Sequence, residues 1–136
     1  MSRTVEVGDT IPELEFEVSG EPMKVFSILM DDPNPIHYDP EFVRSLGRGE
    51  EPVNQGTITM GYLINAVIAW AGGAERLIRF RCRFGSSVVA GDRVVAGGTV
   101  TALGENPRGR TAELDIWLKR SGDQMALTGS ATVLLD

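Results

Sequence analysis

The sequence predicts an α+β fold in which an antiparallel sheet wraps around one long buried helix. Two observations carry that expectation. The segment from Ile58 to Trp70 places Ile58, Met60, Leu63, Ile64, Ala66, Val67, Ile68 and Trp70 so densely that almost no polar face is left, and a helix apolar all round is a buried one. The chain after it alternates apolar and polar residues in runs separated by glycine turns, the pattern of a meander of strands. At 1.5 Å per residue, about 15 residues span roughly 22 Å. That length matches the width of a five-stranded sheet at about 4.8 Å per strand.

The elements follow in order. Residues 1–12 read as a polar lead-in ending at Pro12, and Leu14-Glu15-Phe16-Glu17-Val18 alternates as a half-buried strand does. Ser19 to Pro22 is a turn, and Pro22 suits the first turn of a helix, where its missing N–H costs nothing. Val25, Phe26, Leu29 and Met30 fall at helical spacing, and Pro33 stops that helix by Asp32. Asp31 takes the cap position, where a left-handed conformation is often needed and where aspartate tolerates it better than most residues. Asp39 caps a second short helix to Leu46, with Pro40 first and Phe42, Val43 and Leu46 facing inward. Gly47 to Pro52 is a polar loop. Gly72-Gly73 ends the long helix. Strands are then expected at Arg79–Phe84, Arg93–Leu103, Ala112–Lys119 and Met125–Leu135, with turns at Gly91-Asp92, Gly104–Gly109 and Ser121-Gly122-Asp123.

Composition narrows the function. With 136 residues the chain is expected to form one domain, 1–136. Its net charge of −6 argues against nucleic acid and anionic membranes as partners. The single cysteine, Cys82, excludes an intrachain disulfide and fits a reducing, cytoplasmic compartment. The N-terminus has no apolar stretch of the secretory kind, and the longest nearly apolar run is shorter than the roughly 20 residues of a membrane span.

The chemistry concentrates in Asp32-Pro33-Asn34-Pro35-Ile36-His37, which holds the only histidine of the chain. Each proline fixes its own φ and drives the preceding residue out of the helical region. Asn34 can close a turn through its side chain. Taken alone, the stretch fits a polar turn with a surface histidine as well as it fits a site. The pattern Asp-x-Asn-Pro-x-His, preceded by Phe26 to Met30 and followed by Asp39-Pro40-Glu41-Phe42, resembles the hydratase-2 motif of MaoC-like (R)-specific enoyl-CoA hydratases and dehydratases. The resemblance extends over most of the chain, including the run from Phe84 to Gly91-Asp92. It implies a hotdog fold, with Asp32 and His37 holding a catalytic water. It also implies that Gly56, at the start of the long helix, offers its N–H to the thioester oxygen. Two positions depart from the family pattern: Asp31 stands where glycine is usual, and Gln55 where histidine is common.

These residue types suit the reaction. Adding water to an α,β-unsaturated thioester needs a base for the water, a proton for the α-carbon and a donor for the oxygen that gathers charge. Asp32 and His37 supply the acid/base pair, the order of their action left open because coupled groups titrate together. Free N–H groups at a helix start supply the donor, and glycine permits close approach, although a plain helix-start glycine fits the sequence equally well. Asn34, Gln55, Thr57 and Tyr62 are candidate substrate contacts. The reaction needs no metal or other cofactor, and the sequence contains no Cys/His ligand cluster. Arg79, Arg81 and Arg83 line one strand face and read as solvated, with contact to coenzyme A phosphates there, or at Arg108 and Arg110, as the alternative. Cys82 reads as packing. The expected partners are an acyl-CoA or acyl-carrier-protein thioester and a second subunit, as homodimer or as heterodimer with a related chain. A thioesterase is the competing reading, but those enzymes usually draw an acid from the central helix, and Thr57 to Ala71 contains none.

Overall fold

The computed structural model describes residues 3–32, 34–47, 49, 51–120 and 124–135. Five antiparallel strands form one sheet in the order β1-β3-β4-β5-β2: β1 Thr10–Glu17, β2 Leu77–Phe84, β3 Arg93–Asn106, β4 Gly109–Arg120 and β5 Gln124–Leu134. Helix α1 (Gly20–Leu29), a 3-10 turn (Pro35–His37), α2 (Pro40–Ser45) and α3 (Gly56–Ala71) all lie between β1 and β2 in the chain. This is the α+β hotdog architecture. Among the described residues no helix is long and apolar enough to cross a membrane.

The core forms where α3 lies on the sheet. Leu63, Ala66, Val67 and Ala71 of α3 are buried with Val94, Ala96 and Val100 of β3, Leu114, Ile116 and Leu118 of β4, and Leu127 and Val133 of β5. Each fully buried leucine contributes about 1.5–3 kcal/mol. Gly72 closes α3 in the left-handed region at φ 98°, donating its N–H to Ile68 O over 2.9 Å.

Several expected boundaries move. The lead-in belongs to β1, which begins at Thr10; a register irregularity between Ile11 and Leu14 absorbs Pro12 on an edge strand, where a missing donor is tolerated. Helix α1 begins earlier, with Ser19 as its cap. Its inward residue is Met23, while Val25, Leu29 and Met30 are exposed. In α2 only Val43 is fully buried, and Phe42 and Leu46 reach solvent. Helix α3 is buried along one side, not all round, with Asn65 and Ala69 exposed and Ile64 and Ile68 half-buried. The β3–β4 hairpin is tighter than the expected loop, with Pro107 and Arg108 alone at its tip. Cys82 is half-buried, and burial pushes its thiol up from the ordinary value, as befits a packing residue. Pro33, Arg48, Glu50 and the expected turn at Ser121-Gly122-Asp123 lie outside the described residues.

Candidate active site

Three segments meet at the site, and each has a local reason to be there. The first is the end of α1. Its chain turns at Asp31, a non-glycine residue at φ 50°, and Asp32 N–H then donates to Ser27 O over 2.9 Å. Asp32 Oδ1 accepts from Asn34 N at 3.2 Å, which aims the other carboxylate oxygen away from the bend. The second is the 3-10 turn. Asn34 Oδ1 accepts from Ile36 N at 3.2 Å and Pro35 stands at its first position, so proline and an Asx-type cap present His37 together.

The third segment, Pro52 to Gln55, clamps the second. Val53 N–H donates to Ile36 O over 2.7 Å, and Val53 O lies 2.7 Å from His37 Nδ1. Neighbouring bonds, Asn54 N to Val88 O at 2.7 Å and Ala90 N to Pro52 O at 3.0 Å, fasten this segment to the chain entering β3. His37 is consequently buried, with 7% of its surface exposed.

A carbonyl oxygen only accepts, so the Nδ1 of His37 must carry a hydrogen. In the neutral ring that leaves Nε2 with a lone pair. Nε2 faces Asp32 Oδ2 at 3.4 Å, and the Asp32 side chain keeps 42% of its surface exposed. Two acceptors stand side by side at this distance, too close for a molecule between them but placed so that one water beside the pair can donate to both.

The gap opens on a cleft of about 460 Å³ lined by Phe26, Met30, Asp32, His37, Gln55, Gly56, Thr57, Met60 and Phe84. Helix α3 starts here at Gly56 with no side-chain cap, because Gln55 turns its amide back toward α1. First-turn N–H groups and the helix dipole thus favour negative charge at this wall. A Cβ on Gly56 would come within 3.1 Å of the Phe84 ring, so the glycine lets that ring lie against the helix start. A larger hollow, about 530 Å³, adjoins the other side of Asp32 between Lys24, Ser27, Ile28, Asp31 and Tyr38, but no imidazole lines it.

The structure therefore brings Asp32, His37, Gln55, Gly56 and Thr57 to one cleft. Tyr62 does not line this cleft: it packs on Phe16 with ring centroids 5.1 Å apart, and burial pushes its phenol above its ordinary value. Asn34 does not line the cleft either: it is exposed, and its Oδ1 accepts from Ile36 N and so braces the turn. Phe84 ends β2 half-exposed at the cleft. Sequence reasoning missed the Val53 carbonyl, which leaves no trace in residue type. It also missed the cleft walls Met60 and Phe84, which alternation alone assigns to the core.

The family model described as MaoC like domain matches residues 4–115. The chain belongs to the MaoC-like family. Among solved structures, the (R)-hydratase from A. caviae involved in PHA biosynthesis is similar at 27% identity and TM-score 0.85, with 99% of this chain and 100% of that one covered. The ChsH1-ChsH2 complex from Mycobacterium tuberculosis matches at 18% identity and TM-score 0.81, covering 98% and 100%. The C-terminally truncated HadBC (3R-hydroxyacyl-ACP dehydratase) complex from the same organism matches at 15% and 0.74, covering 97% and 99%. The last two likenesses concern the fold alone. No curated protein matches the chain. MaoC-like membership and the (R)-hydratase likeness place the chain among hydratase and dehydratase relatives.

Proposed function

We propose that this MaoC-like chain reversibly hydrates trans-2-enoyl thioesters of coenzyme A or acyl-carrier protein to (R)-3-hydroxyacyl thioesters. The observation that supports it most is the gap between His37 Nε2 and Asp32 Oδ2, 3.4 Å wide and opening on the cleft. A water held by both acceptors loses a proton to the pair while its oxygen bonds to C3. The C2–C3 π electrons pass to the thioester carbonyl, and the enolate oxygen is met by the Gly56 N–H. Returning the proton to C2 completes the addition, and every atom of water ends in the product. Thr57 flanks the thioester, and Phe26, Met30, Met60 and Phe84 give the acyl chain an apolar wall.

Helix α3 contains no carboxylate between Thr57 and Ala71, so the thioesterase reading lacks its usual acid. Strand β2 is an edge of the sheet, and its unpaired backbone suits a second copy or a related subunit, extending the sheet across both. Turnover of a panel of trans-2-enoyl-CoA esters, followed by loss of the enoyl absorbance, tests the function. Hydration is expected from the purified chain or from the chain with a related subunit, and its absence in both preparations overturns the reading. Release of free thiol without hydration would favour the thioesterase.

A further inference from the structure

Gln55 occupies the cap position of α3 yet does not cap it. Its side chain crosses instead to α1, where Nε2 donates to Met23 O over 2.8 Å and to Ser27 Oγ over 3.1 Å. Ser27 Oγ donates in turn to the same Met23 carbonyl at 3.0 Å, and Ser27 O receives Asp32 N–H. One amide thereby joins the last turns of the helix that carries Asp32 to the residue before Gly56. Met23 anchors α1 in the same core as α3, and towards its end the backbone of α1 lies beside the 3-10 turn bearing His37.

The orientation of that amide is fixed by chemistry. Met23 O accepts only, so the nitrogen must face it and Oε1 must face away. Oε1 is buried and has no partner among the described residues. The two bonds gained by the nitrogen are thus set against a buried carbonyl that no described residue satisfies. A residue chosen for stability alone would fill this place better with an apolar side chain of the same length. The balance points to geometry.

We propose that Gln55 is a positioning residue that sets the separation between the Asp32/His37 pair and the free amides opening α3. Its kinetic consequence rests on the hydratase reading, and its structural consequence does not. Methionine in its place keeps the length and apolar stem but donates to neither Met23 O nor Ser27 Oγ. The end of α1 then loses its tie, and Asp32 shifts against a histidine that stays fixed by Val53.

Two variants and their combination test this: Gln55→Met, Ser27→Ala and the double change. Gln55→Met is expected to fold with a melting temperature equal to or above that of the parent, while kcat on a short trans-2-enoyl-CoA falls about tenfold or more and KM changes little. Ser27→Ala is expected to cost less, and the double variant to cost no more than Gln55→Met, because both lie on one path. The ring NMR signals of His37, the only histidine, are expected to move in Gln55→Met. A variant that keeps both kcat and the His37 signals of the parent overturns the proposal, as does a loss of kcat that only tracks a loss of folded protein. Should the parent hydrate nothing, the functional reading fails alone, and the His37 signals still decide the positioning role.

Discussion

His37 and Asp32 face each other across 3.4 Å, yet they are held in opposite ways. The imidazole is buried, gripped at Nδ1 by a carbonyl whose own residue is fastened to the loop before β3. The carboxylate is half-exposed, sits just past the end of a short helix, and keeps its direction by one backbone N–H of its own bend. The histidine side of the site is built into the fold, and the aspartate side is attached to it. Catalytic loss and structural loss should therefore coincide at one residue and separate at the other.

The largest effect is expected for His37→Ala. Removing the acid/base ring should lower kcat by about 10²–10⁴-fold. It also strips Val53 O of its partner inside the fold, which should cost about 1–3 kcal/mol of stability, measured by denaturant unfolding. Asp32→Asn should lower kcat by about 10²-fold or more. Its stability should stay within about 0.5 kcal/mol of the parent, because the side chain is half-exposed and Asn still accepts from Asn34 N. Equal destabilisation by the two changes would break the comparison.

Gly56→Ala probes the third corner. The new Cβ meets only the rim of a half-exposed Phe84 ring, which can give way, so the melting temperature should hardly change. The thioester would still lose its close approach to the amide, and kcat should fall about tenfold. The smallest effect belongs to Tyr62→Phe, expected to leave turnover within about twofold of the parent because the ring lies against Phe16, outside the cleft. Burial raises the Tyr62 phenol above 10.0, so the folded chain keeps a proton that the unfolded chain releases. That contribution to stability is complete below pH 10 and fades as pH climbs past it. Tyr62→Phe should flatten the alkaline limb of a stability profile.

The fold was legible because its signals are periodic. Alternation placed the four strands after α3, and the dense apolar run from Ile58 to Trp70 placed the helix they wrap. The same signals blurred at the margins. Pro12 read as a stop because the irregularity that accommodates it in β1 has no residue signature. Val25, Phe26, Leu29 and Met30 fall at helical spacing, yet Val25, Leu29 and Met30 face outward while Met23 anchors the helix.

The site was legible where side chains do the work and opaque where backbone does. Asp32 and His37 stand out through the motif that carries the family resemblance, and Gly56, which would act through its backbone, only through that same resemblance. The carbonyl of Val53 could not, since every residue supplies one, and it is this oxygen that decides which nitrogen of His37 carries hydrogen. Tyr62 reads as a candidate contact from the sequence because it puts a polar atom on the central helix, and only packing shows that its side of the helix faces Phe16 and not the cleft.

That oxygen also provides the most direct test. A long-range ¹H–¹⁵N spectrum of His37, recorded on the resting protein at a pH where the ring is neutral, reads the tautomer without any substrate. The hydrogen is expected on Nδ1, with Nε2 showing the shift of a bare lone pair directed at Asp32. A hydrogen found on Nε2 instead would mean that Nδ1 does not donate to the Val53 carbonyl and would contradict the account.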